Sequence, residues 1–76
     1  MSRQHQIAID MIDARFLAFA RGESSDSLHA ETSMAIEMAY SLGAISDAEH
    51  RHYVARRKRI IEREHDEFMA RMSRSA

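Results

Sequence analysis

The chain has 76 residues, 45% of them apolar and 30% charged, and it contains no cysteine. At that length one domain is the ceiling, folding hides only about 60% of the surface of the open chain, and disulfides, thiolate metal clusters and thiol nucleophiles are excluded. Net charge is −1 but unevenly spread: residues 1–50 hold three Arg against eight acids, and residues 51–76 hold eight Lys/Arg against four. That polarity suits surfaces that attract each other or a partner, and gives no global bias towards nucleic acid or membrane.

No eighteen uncharged apolar residues follow one another, and Met1-Ser2-Arg3-Gln4-His5-Gln6 lacks the basic stretch and apolar run of a secretion signal. The expectation is a cytoplasmic chain with no membrane partner. There is no proline, and the only glycines, Gly22 and Gly43, fall where helical patterns stop. Glycine enters the left-handed conformation without a Cβ clash, so both mark helix C-termini.

The spacing predicts a first helix over about 4–21, with Ile9, Ile12, Phe16, Phe19 and Ala20 on one face and Gln6, Asp10 and Asp13 opposite. Ile7, Met11 and Leu17 widen the apolar stripe beyond what one neighbour covers, which calls for a second contact surface. The oxygen-rich turn Gly22–Ser27 then leads into a second helix over about 26–42. Its inner face reads as Leu28, Thr32, Ala35, Met38/Ala39 and Leu42, with Met34, Ile36 and Tyr40 off it.

The string Gly43-Ala44-Ile45-Ser46-Asp47-Ala48-Glu49 stops one helix and starts another. Ser46 and Glu49 have the spacing of a capping box, in which each side chain serves the other's backbone N–H. This string resembles the turn of many small helical-hairpin modules, including short C-terminal domains of bacterial proteins; the shared part is generic capping chemistry and identifies no family. A connection this short makes helices 2 and 3 antiparallel neighbours.

Helix 3 is expected over about 47–72, roughly 39 Å at 1.5 Å per residue, against roughly 25 Å for the others. Its last turns, with Phe68, Met69 and Met72, therefore have nothing of their own chain to pack on. Val54, Ile61 and Phe68 recur every seven residues, flanked by Tyr53, Ile60 and Met72 and interrupted by Arg57 and Glu64. An antiparallel crossing of two copies about Ile60/Ile61 would set Arg57 against Glu64, and Tyr53 against Phe68. The expected self-association surface is Tyr53, Val54, Arg57, Ile60, Ile61, Glu64, Phe68, Met69 and Met72.

Arg51, Arg56, Arg57, Lys58, Arg59 and Arg63 form a candidate contact for an anionic partner. Four consecutive helical residues, however, point around the whole helix, whereas a groove-reading helix keeps its cations on one face. Glu49/His52 and Glu62/His65 share the Glu-x-x-His spacing of di-iron bundles. At 100° per residue the second pair is turned by about 220° from the first, so no metal or other cofactor is expected. The five His read as surface residues. Of the six Met, at 1, 11, 34, 38, 69 and 72, all but the last two read as core filling.

These features predict an all-α fold of three helices with a long C-terminal helix, one small helical domain completed by homodimerisation. The function expected is that of an adaptor or inhibitor that occupies a protein partner, without catalysis, as many short accessory proteins of bacteria and their mobile elements do. The alternative is a dimeric nucleic-acid-associated protein using the basic stretch of helix 3.

Overall fold

The structure is a computed structural model that describes residues 2–75, the side chain of Ser75 excepted. Met1 and Ala76 lie outside the described residues. Three helices follow in order, α1 (Arg3–Ala20), α2 (Asp26–Ser41) and α3 (Asp47–Ser75), and no strand occurs among the described residues.

Every helix start has a local chemical cause. The Ser2 hydroxyl accepts from the backbone N–H of His5 at 3.0 Å, and the Ser25 hydroxyl accepts from that of Leu28 at 3.0 Å. Ser46 and Glu49 form the expected capping box: the Glu49 N–H donates to Ser46 Oγ at 3.1 Å, and the Ser46 N–H donates to Glu49 Oε1 at 2.8 Å. The sequence left open which residue of the first turn caps α2; it is Ser25.

Two helix ends share one device. Gly22 and Gly43 adopt φ of +90° and +74°. In each case the glycine N–H and the following N–H turn back onto the last helical carbonyls: Gly22 to Phe19 and Glu23 to Ala18, Gly43 to Tyr40 and Ala44 to Ala39. These are Schellman motifs, and they satisfy carbonyls that a helix end otherwise leaves open.

The chain runs up α1, down α2 and up α3, so that α1 and α3 point the same way. At 29 residues α3 is about 43 Å long. The molecule accordingly measures 53 × 20 × 16 Å. The core gathers Ala8, Ile12, Phe16 and Phe19 of α1, Thr32, Ile36 and Ala39 of α2, Ile45 of the turn and Tyr53 of α3. The buried Thr32 hydroxyl donates to the Leu28 carbonyl at 2.7 Å, so no polar atom is stranded there.

The expected inner face of α2 needs correcting. Ile36 is buried at 1% exposure, whereas Met38 is exposed and Leu42 is 79% exposed. The helix serves two neighbours, α1 and α3, and its hidden sector turns to lie between them. A stripe drawn for one neighbour therefore includes the wrong edge. The reading of Met11, Met34 and Met38 as core filling also fails, since all three are exposed.

Candidate interaction surface

Three cross-helix pairs hold α3 in place. His5 of α1 donates through Nε2 to Glu49 at 2.7 Å. His50 reaches Glu37 of α2 at 2.8 Å, and His29 of α2 reaches Glu64 at 2.9 Å. The His50 ring also stacks on Tyr40, with centroids 4.1 Å apart. Three of the five His are thus half-buried clasps, a correction to their reading as surface residues; His52 and His65 are exposed. Period and spacing could not have found them, because each partner lies 13 or more residues away.

The carboxyls of two clasps are shifted. The backbone N–H of Ser46, and after it His5, hold Glu49 below the usual carboxylate range. The Ser24 hydroxyl does the same for Glu64, with His29 adding to it and partial burial opposing. Between the outer clasps, Tyr53 stacks on Phe16 with centroids 5.8 Å apart, and its hydroxyl donates to Asp13 at 3.2 Å.

Two residues of the expected self-association seam therefore belong elsewhere. Tyr53 is only 6% exposed and lies in the core of its own chain, while Ile60 is half-buried against that core. Glu64 is already engaged by His29. The reason is angular: Tyr53 and Ile60 lie on the sector of α3 that faces α1 and α2, about 100° from Val54 and Ile61 respectively. Val54, Ile61 and Phe68 remain exposed and keep their seven-residue repeat, and Met69 and Met72 are exposed beside them.

From His65 to Arg74 every residue is exposed. The His–Glu clasps stop at Glu64; in the three remaining turns Glu67 and Arg71 border the α1–α2 turn, while Phe68, Met69 and Met72 are exposed. A second apolar surface lies between α1 and α2, where Ile7, Met11, Met38 and Leu42 line an open groove of about 400 Å³. The widened stripe of helix 1 pointed to it through Ile7 and Met11. Leu17, the third residue of that widening, is exposed but outside the groove.

The basic residues separate into distinct positions. Arg51 and Lys58 are exposed, and Arg57 is half-buried with its Nε lacking a hydrogen-bond partner among the described residues. Arg56, Arg59 and Arg63 line one groove between α1 and α3, over Phe16, Phe19, Ala20 and Ile60. The Arg56 guanidinium sits over the Phe16 ring, 4.4 Å from its centroid. The expectation that the basic run points around the whole helix holds for Arg56 to Arg59, but residues 56, 59 and 63 stand at i, i+3 and i+7 and so share a face.

Among the described residues no three His, Asp or Glu side chains converge as a metal's donor set. Glu49 is used by Ser46 and His5 instead of pairing with His52. Among the described residues no helix is long and apolar enough to cross a membrane. No protein-family model, no curated protein and no solved structure matches this chain.

Proposed function

We propose that this chain is a small, non-catalytic interaction module that binds a protein partner and pairs with a second copy of itself through α3. One observation carries the reading. A helix clasped to its own chain as far as Glu64 continues for three more turns that bear Phe68, Met69 and Met72 in solvent. Exposed apolar side chains on a preformed helix are the arrangement that helix-in-groove and helix-pair recognition uses.

With Tyr53 and Ile60 withdrawn into the core, the antiparallel crossing of two α3 helices centres on Ile61. Val54 of one copy then stands opposite Phe68 of the other, and Lys58 comes beside Glu62 on each flank. Charge favours this orientation, because α3 is basic from Arg51 to Arg59 and carries four of its six acids from Glu62 to Glu67. Sedimentation across a dilution series tests it. Wild type is expected to shift from dimer to monomer on dilution, and Phe68→Asp to be monomeric throughout with unchanged helical circular dichroism. A wild-type chain that stays monomeric at high micromolar concentration overturns the pairing.

A further inference from the structure

We infer that the groove between α1 and α3 is a second docking site, and that it takes an acidic amphipathic helical segment of a protein partner. The inference rests on the protein-interaction reading, but it uses a different face. By the helical repeat, the arginine side of α3 lies about half a turn around from the Val54, Ile61 and Phe68 seam. Occupation of one leaves the other open.

The first observation is a set of guanidiniums without an ion-pair partner, Arg56 resting on the Phe16 ring and Arg63 acting on Glu64 only at a distance. The clasps that cross between helices use His5, His29 and His50, and among the described residues no carboxylate lies within salt-bridge distance of Arg56, Arg59 or Arg63. Of the neighbouring acids, Asp13 accepts from Tyr53, Glu49 from His5 and Ser46, and Glu64 from His29, while Glu23 and Glu67 border Arg63 without reaching ion-pair distance. Three guanidiniums on one face of a chain with net charge −1 call for anionic groups from outside.

The second observation is what lies under them. The groove, about 480 Å³ in volume, is lined beneath the arginines by Ala20, Ile60, Phe16 and Phe19. An apolar floor beneath a cationic rim matches a ligand with apolar and anionic groups side by side. The axial distance from Arg56 to Arg63 is about 10 Å, two turns of helix. Carboxylates at i, i+3 and i+7 of a bound helix therefore meet the three guanidiniums while the residues between them cover Ala20 and Ile60.

Nucleic acid fits less well. Phe16 is 2% exposed and lies between Tyr53 and Arg56, and Phe19 is closed off by the His29 ring at 4.7 Å, so neither offers a face on which a base could stack. Past Arg63 the surface passes to Glu23, Glu64 and Glu67, three acids against the single cation Arg71. A continuous phosphate backbone would run onto these acids, whereas a segment of two turns ends before them.

The test uses the full chain and a labelled synthetic peptide of about 14 residues that forms four helical turns, with Glu at i, i+3 and i+7 and Leu and Ala between. Saturable anisotropy is expected, with affinity falling about tenfold either when the Glu are replaced by Gln or in the Arg59→Gln/Arg63→Gln variant. Both substituted arginines are exposed, so the fold is retained. Methyl spectra are expected to move at Ala20 and Ile60. Equal affinity for the Glu and Gln peptides overturns the inference. So do shifts confined to Met69 and Met72, shifts confined to Ile7 and Met11, or displacement of the peptide by mixed-sequence duplex DNA or RNA at lower concentration. Dilution without peptide moves the Val54, Ile61 and Met72 methyls and leaves Ala20 in place if α3 pairing is present, so the two readings fail separately.

Discussion

The two ends of α3 are the same helix in unlike surroundings. From Asp47 to Glu64 it is capped, clasped at Glu49, His50 and Glu64, and anchored by Tyr53 in the core. From His65 to Arg74 it has no buried residue. Local propensity carries both stretches, but only the first gains from tertiary burial, and burial supplies most of the stability of helices in proteins. The far end is therefore where order costs least to lose, and where a partner has most apolar surface to cover.

The sharpest way to break this comparison is a pair of truncations to alanine. Phe16→Ala is expected to destabilise the chain by about 3–5 kcal/mol, since it empties the centre of the core. Phe68→Ala should change the stability of the isolated monomer by less than about 0.5 kcal/mol. Urea unfolding at low protein concentration measures both. Comparable losses would mean that the far end of α3 packs as firmly as the near end.

Gly43→Ala comes next. No atom lies within 4 Å of a Cβ added there, so crowding contributes nothing and the cost is that of placing a side chain at φ +74°. About 1–2 kcal/mol is expected by the same assay. Substitution at Gly22, whose surroundings are equally open, should cost a similar amount, which separates the conformational demand from packing.

Tyr53→Phe removes the hydrogen bond to Asp13 while keeping the stack on Phe16, and about 1 kcal/mol is expected. The same hydroxyl has a spectroscopic signature. Burial, and then the negative charge of Asp13, push the Tyr53 phenol above its ordinary value, and the hydrogen bond and charge of Asp47 do the same for Tyr40. Alkaline titration should therefore show phenolate absorbance rising later than in the unfolded chain. The stability contributed by the raised values is complete below the ordinary tyrosine range and is lost as pH climbs through the folded values.

The smallest effect is at acid pH. Glu49 and Glu64 have folded values below their ordinary range, so their contribution is present above that range and disappears as pH falls through the folded values. Unfolding of wild type and of Glu49→Gln/Glu64→Gln should differ at pH 6 and converge towards pH 3. A gap that stays constant over that interval would remove the clasps from the account of how α3 is held.

The helices and their limits were legible because their causes are local. Ser46 with Glu49, and the two glycines, act on backbone groups within a few residues, and each does so in the structure. The overhang was legible too, since helix lengths alone imply it. The candidate surface was only half legible: Val54, Ile61 and Phe68 keep their repeat in solvent, while Tyr53 and Ile60, one residue away, turn inward. The arginine face hid inside a run of four basic residues, because it uses two of them together with Arg63.

The sequence by itself determined where the chain turns and where each helix is capped, through interactions that span three to five residues. Tertiary structure alone decided which sector of each helix is hidden, which His meet which Glu, and which arginines are left without a carboxylate. Those outcomes depend on how many neighbours a helix has and from which angle they approach, and periodicity along one helix carries no record of either.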